Sequence, residues 1–255
     1  MKIAGIIPAA GLGSRLGHMP FSKELYPVGF KLNELGQSVP KAASEYLLGL
    51  MQQTGAAQVY FILRDGKWDI PAYYGDGSRY GVDAAYLMMN QPYGTPFSVD
   101  QAHAFVQDKT VIFGFPDILV EPNDVFVRLL ERQQQTAAEV VLGLFPVTCP
   151  HKWDMVETDA AGNVKKILPK PEDSELEQAW CIAVWSPAFT AFMHQYLQQL
   201  LPQFISGEKK ELPMGAVIQA AIENGMPVQS VWFHEGNCLD IGTPDDLKEA
   251  LKRLT

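Results

Sequence analysis

The residues best suited to chemistry lie in one stretch, Ile6 to Pro27, which reads IIPAAGLGSRLGHMPFSKELYP. Gly11, Gly13 and Gly17 punctuate a loop that follows an apolar run. Glycine lets backbone N–H groups turn toward a ligand and approach it closely. Successive N–H groups in such a loop form an anion nest. Arg15 adds a fork of donors matched to phosphate oxygens, and Lys23 adds a point charge. Together these are parts for holding a polyphosphate. A Walker loop would end in Gly-Lys-Ser/Thr, which is absent. A dinucleotide fingerprint would need glycine where Leu16 stands, and Gly17 falls one residue late. A phosphate loop of another class and a plain surface turn both remain open.

Other candidates stand further along. Asp117 follows the apolar run Val111 to Phe115, and ligand sites of open α/β sheets gather at strand ends. Asp240 precedes Ile241-Gly242-Thr243. Two aspartates distant in sequence can meet and share a hard cation such as Mg²⁺. From the residues alone, each reads more readily as a turn aspartate. The Gln91 amide can pair with a pyrimidine edge or simply be solvated. Lys170, between two prolines, also fits an ordinary surface lysine. The five histidines, His18, His103, His151, His194 and His234, show no triad or ligand spacing. No Gly-x-Ser-x-Gly elbow supports serine hydrolysis.

The elements that must position these residues alternate between strand and helix, which predicts an α/β layered fold with a mainly parallel sheet. Strands are expected at 3–7, 59–63, 82–89, 111–115, 140–145, 179–185 and 228–233. A hairpin is expected across 155–168. Helices are expected at 41–53, 98–106, from Asn123 or Asp124 through 135, at 187–200, at 212–224, and from Pro244 onward. Ser98 with Gln101 suggests a capping box. Thr243 caps the last helix, with Asp245 and Asp246 at its positive end. No repeat or linker divides the chain, so one domain is expected over 1–255. Residues 1–145 would be mainly a nucleotide half and 146–255 mainly an acceptor half.

Composition narrows the classes. At 47% hydrophobic and 19% charged, the 255 residues suit a globular core rather than a disordered chain. The net charge of −9 argues against nucleic acid or an anionic membrane as partner. No apolar run reaches the roughly 20 residues of a membrane helix, and no signal peptide is expected. Cys149, Cys181 and Cys238 match no disulfide or zinc framework, which predicts a reducing cytoplasm.

The motifs in order resemble the sugar-phosphate nucleotidyltransferases, especially glucose-1-phosphate thymidylyltransferases. PAAGLGSRL with SKELYPV looks like that family's signature loop, GDGSRYGV (75–82) its next motif, and NQPYGTP (90–96) its base-binding segment. PKP (169–171) resembles the substrate-phosphate segment, and LDIGTPDDL (239–247) the closing metal motif. The resemblance spans nearly the whole chain. It implies a Rossmann-like nucleotidyltransferase fold, with a mixed, mostly parallel central sheet flanked by helices. It also implies a Mg²⁺-dependent reaction that joins a nucleoside triphosphate, a pyrimidine one, to a sugar phosphate and releases pyrophosphate.

The implied roles follow residue by residue. Ala10, Gly11, Gly13, Ser14 and Arg15 would wrap the triphosphate, and Arg15 and Lys23 would act at the reacting centre. Gln91 and Gly94 would face the base. Lys170 would hold the acceptor phosphate, with Asp154 nearby. Asp117 and Asp240 would hold Mg²⁺. The partners would be the two small substrates, and a homo-oligomer is compatible with this reading. With no hexapeptide-repeat tail in the sequence, a fused β-helix acetyltransferase is not expected.

The departures cluster on the acceptor side. Phe115-Pro116-Asp117-Ile118 replaces a Gly-Asp-Asn run, Asp154 replaces a glycine, and Pro169 replaces a glutamate that contacts sugar hydroxyls in the family. Glucose 1-phosphate is therefore expected to be a poor acceptor. The alternatives are a cytidylyltransferase acting on a phosphorylated amino alcohol or phosphonate, and a catalytically inactive nucleotide-binding regulator. A dinucleotide oxidoreductase is the most distant.

Overall fold

A computed structural model describes residues 2–254. The chain runs through β1 (Ile3–Pro8), β2 (Pro27–Leu32), β3 (Ser38–Ala42), α1 (Ala43–Gln52), β4 (Gln58–Leu63), α2 (Asp69–Tyr74) and β5 (Asp83–Met88). It continues with α3 (Thr95–Asp100), α4 (His103–Val106), β6 (Thr110–Gly114), β7 (Ile118–Glu121), α5 (Val125–Thr136), β8 (Val140–Pro146), β9 (Asp154–Thr158) and β10 (Val164–Pro169). It closes with β11 (Gln178–Trp185), α6 (Pro187–Ile205), α7 (Met214–Glu223), β12 (Val228–Trp232), β13 (Asn237–Asp240) and α8 (Pro244–Leu254).

One nine-stranded mixed sheet carries the fold. Strands β6, β1, β4 and β5 are parallel neighbours, which places their carboxyl ends on one edge. Strand β11 joins β6 and β8 antiparallel, and β12 extends β8 in parallel. The side-chain period of two decides which layer each residue enters. Ala4 and Ile6 of β1 face a core shared with Phe97 and Val217, while Ile7 faces Leu47 and Phe126. Helix α5 buries Val125, Phe126, Leu129, Leu130 and Gln133, a stripe at helical spacing that packs on the sheet.

Most expected elements are present; the hairpin strand β2 and helix α2 were not expected, the expected helix 98–106 is split into α3 and α4, and other differences bear on the site. Lys41 and Ala42 belong to β3, which pairs with β2, so α1 starts at Ala43. Ser98 is not a cap: α3 opens at Thr95, after Gly94 and with Pro96 in its first turn. The Ser98 hydroxyl instead contacts Met89 Sδ at 3.0 Å. Helix α6 continues to Ile205, beyond the expected 200. A small antiparallel sheet of β7 and β13, not expected from the sequence, forms outside the main one.

Candidate active site

The small sheet creates the site. Its register sets Asp240 opposite Ile118, and Ile241 N–H donates to the Asp117 carbonyl at 2.9 Å. Leu119 and Ile241, both buried, pack with Val28 and Ala250, so the pairing is held by its own small core. Asp117 and Asp240 thereby meet at the carboxyl end of β6.

Lys23 closes the centre by an ion pair from its Nζ to Asp117 Oδ2. Burial opposes the charged ammonium, but the charge and hydrogen bond of Asp117 outweigh it and raise the Lys23 pKa. Asp240 is pushed up, first by burial and then by the Asp117 charge, against the Gly242 N–H, Arg15 and Lys23. Gly242 N–H donates to Asp240 Oδ1 at 2.6 Å. A methyl on Gly242 would sit 2.7 Å from both Arg15 Nη2 and Asp240 Oδ1, so glycine here permits a close approach of these groups.

The phosphate loop folds over the Lys23 stem: a Cβ built on Gly11 or Gly13 would contact its methylenes or ammonium at 3.6–3.9 Å. Gly13 adopts φ +67°, a left-handed conformation that favours glycine. Three interactions that were not legible in the sequence anchor the following segment. Ser22 N–H and Oγ both donate to Asp69, at 2.6 and 2.7 Å. Glu24, 1% exposed, accepts from Lys67 Nζ through both carboxylate oxygens at 2.7 and 2.6 Å. Ser44 Oγ donates to the Glu24 carbonyl at 2.7 Å. Burial raises the Glu24 pKa and lowers that of Lys67, each against the partner's charge. The only sequence signal for this pair was an acid flanked by Lys23 and Leu25 in a motif segment.

A cavity of about 770 Å³ lies beside this centre, with Ala10, Gly11, Arg15 and Lys23 on one wall and Asn90, Pro92 and Gly94 on another. Ser14 is exposed and outside this lining, and Gln91 is outside it as well. Gly94 has φ +111°, and a Cβ there would strike the Leu212 carbonyl oxygen. Glycine at this position thus lets the 210–212 segment close over the cavity. A second cavity of about 200 Å³ shares Arg15, Asp117 and Asp240, and is lined beyond them by Lys170, Asp154 and Trp180. The predicted residues therefore gather around one centre, except that Gln91 and Ser14 stand off.

Among the described residues no group of three or more His, Cys, Asp or Glu is arranged to hold a metal. Cys181 and Cys238, distant in sequence, lie side by side as free thiols, and burial pushes the Cys181 thiol up. No helix of the described residues is long and apolar enough to cross a membrane.

This fold and this centre define a class. Residues 4–255 match the family described as nucleotidyl transferase, and the chain belongs to that family, in its sugar-phosphate branch. It is 27% identical over 250 residues to the low-salt glycan biosynthesis nucleotidyltransferase Agl11 of Haloferax volcanii, covering 96% of this chain and 64% of that protein. It is 27% identical over 205 residues to a glucose-1-phosphate thymidylyltransferase of Streptomyces antibioticus, covering 80% and 55% respectively. The chain thus spans less than two thirds of the length of these two relatives. The same fold occurs in a UDP-glucose pyrophosphorylase solved with UDP-glucose, at TM-score 0.78 and 15% identity, covering 99% of this chain and 98% of that one.

Proposed function

We propose that this chain transfers a nucleotidyl group from a nucleoside triphosphate, a pyrimidine one, to the phosphate of a small acceptor, releasing pyrophosphate. The observation that carries the proposal is the Lys23–Asp117 pair with Asp240 and Arg15 at the junction of a large and a small cavity. In this reading residues 1–145 supply most of the nucleotide side and 146–255 most of the acceptor side, in a reducing cytoplasm.

An acceptor phosphate oxygen attacks the α-phosphorus, and a new P–O bond forms. The bond from the α-phosphorus to the bridging oxygen breaks, and pyrophosphate departs with that electron pair. No covalent enzyme intermediate is needed. The protein's part is positioning and electrostatics, as in phosphoryl transfer generally. Loop N–H groups and Arg15 hold the phosphates; Lys23 offsets charge on the leaving group; Lys170 holds the acceptor phosphate.

The donor set at the centre fits Mg²⁺. It consists of two carboxylates without thiolate or imidazole, and the Asp240 pKa is raised first by burial and then by the Asp117 charge, both of which a cation would relieve. Asp117 and Asp240 would hold the ion, with nucleotide oxygens and water as remaining ligands. When bound it would supply positive charge at the α-phosphate.

Pyrophosphate release, screened over the common triphosphates and a panel of phosphorylated acceptors, tests the reading. Nucleotide binding without release from any pair would favour an inactive regulator. Faster turnover with ATP or GTP than with every pyrimidine donor would remove the base assignment.

A further inference from the structure

The smaller cavity is lined mainly by charged and aromatic side chains. Apart from the indoles, Thr95 is the only uncharged hydrogen-bonding side chain on its wall. The wall also offers aromatic and apolar surface: Phe115, Trp153, Trp180, Ile118 and Met214. The Phe115 and Trp180 rings stand 6.0 Å apart at 50°, forming a corner rather than a stack.

Into this corner comes the Asp154 carboxylate. Among the described residues it forms no ion pair within 4 Å, and burial works against its charge, with Lys170 and the Trp180 indole opposing. Trp180 Nε1 is buried and lacks hydrogen-bond geometry to any acceptor, although it lies near enough to favour the ionised carboxylate. Glu211 adds a second, exposed carboxylate at the rim. Rings around a carboxylate are the chemistry that recognises an alkylammonium. Lys170 and Arg15 on the same wall are the chemistry that recognises a phosphoryl group.

Resting on the nucleotidyl-transfer reading, we infer that the acceptor is a short aminoalkyl phosphate, with its ammonium in the Phe115–Trp180–Asp154 corner and its phosphate toward Lys170 and Arg15. The competing role for Asp154 is structural. A methyl on Gly215, in the first turn of α7, would sit 2.5 Å from Asp154 Oδ2, so the carboxylate lies over that helix start. A carboxylate there is favourable with no ligand at all.

Calorimetric binding separates these roles. The probes are phosphocholine, phosphoethanolamine, 2-aminoethylphosphonate, the neutral isostere 3,3-dimethylbutyl phosphate and glucose 1-phosphate. Each is titrated into the whole chain with a non-hydrolysable pyrimidine triphosphate and Mg²⁺. A cationic ester should bind at least about tenfold tighter than the isostere and glucose 1-phosphate, the factor that one desolvated cation–ring contact provides. Preference for the phosphonate over both esters would reassign the phosphoryl source and overturn the ester. Asp154→Asn should abolish the preference, and the rim variant Glu211→Gln should weaken it without affecting the fold. Equal affinity for the isostere, tighter glucose 1-phosphate, no amine binding at millimolar concentration, or an unchanged preference in folded Asp154→Asn would each overturn the inference. Amine binding with no pyrophosphate release would support it while refuting the transfer reading. Release with sugar phosphates alone would do the reverse.

Discussion

Replacing Lys67 by methionine should damage the protein more than any change at its exposed charges. The Glu24 and Lys67 side chains are 2% and 10% exposed, and one ammonium satisfies both carboxylate oxygens. Methionine keeps much of the volume and removes the charge, leaving Glu24 buried without its cation. Breaking a buried pair this way costs about 3–5 kcal/mol. For a chain of this size, that lowers the thermal midpoint by roughly 6–20 °C.

The loss should depend on pH. The folded Glu24 pKa is already raised by burial, and losing Lys67 raises it further. A group with a raised folded pKa contributes stability that is full below its unfolded value, about 4.3 for glutamate, and is lost as pH rises through the folded value. The deficit of Lys67→Met against the parent should therefore be smallest in acid and grow toward neutrality. A Glu24→Leu/Lys67→Met double variant should recover most of the loss, because an apolar pair can replace a buried ion pair at little cost. Thermal melts from pH 4 upward measure all three. A single variant within about 1 kcal/mol of the parent, or a double variant no better than the single, would refute the reasoning.

Three further expectations concern the centre and the periphery. Arg15→Ala and Lys23→Ala should each cut steady-state turnover by two or more orders of magnitude. The exposed Arg15 should leave the melting temperature unchanged, while the half-buried Lys23 should lower it by stranding Asp117. Asp240→Asn should lose most activity across a Mg²⁺ titration yet melt no lower than the parent near neutral pH, because its raised pKa means the ionised carboxylate costs stability there; activity surviving in EDTA would refute the metal role. His103, stacked on His194 at 3.8 Å, has its pKa lowered by burial and by His194, so stability should fall as pH drops through about 6.5 into the folded range, and His103→Gln should flatten that acid slope in thermal melts.

The sequence revealed most where a segment's burial decides its structure alone. Strands β1, β6, β8 and β11 are apolar runs covered on both faces, and they stand where the runs stand. Thr243 accepts from Asp246 N–H at 3.3 Å as the helix-start pattern implied. The misses have a different cause. Phe30 and Leu32 remain exposed in the β2–β3 hairpin, so no alternation of buried and exposed residues marked it. At Ser98 a local cap signal gave way to Gly94 and Pro96, which start α3 a turn earlier. Strands β7 and β13 have four residues each, and neither is a strand until it meets the other. The site was thus legible as a set of residue types but not as contacts. Nothing local joins Asp117 to Asp240, or Phe115 to Trp180, whose rings come from separate parts of the chain.

Those long-range contacts also account for a charge balance that the motifs alone conceal. Arg15 and Lys23 offset Asp117 and Asp240, so the centre is formally neutral before any ligand arrives, and Lys23 is already committed to Asp117. A triphosphate entering the larger cavity would meet an ammonium that is not free. In the proposed reaction Lys23 exchanges the carboxylate for phosphate oxygens, and Asp117 is left beside Asp240 with two like charges in a partly buried space. That arrangement is unfavourable by itself: burial first, and the Asp117 charge second, already raise the Asp240 pKa. A divalent cation carried in with the nucleotide would relieve it. Metal affinity should therefore be weak in the free protein, where Lys23 occupies Asp117, and strong only with the triphosphate bound. Titrating Mn²⁺ by water-proton relaxation, with and without a non-hydrolysable triphosphate, measures the two affinities. Lys23→Met should raise the affinity of the free protein, because it leaves both aspartates without their competing ammonium. Unchanged or weaker Mn²⁺ binding in that variant would show that the Lys23–Asp117 pair does not hold the metal position in reserve.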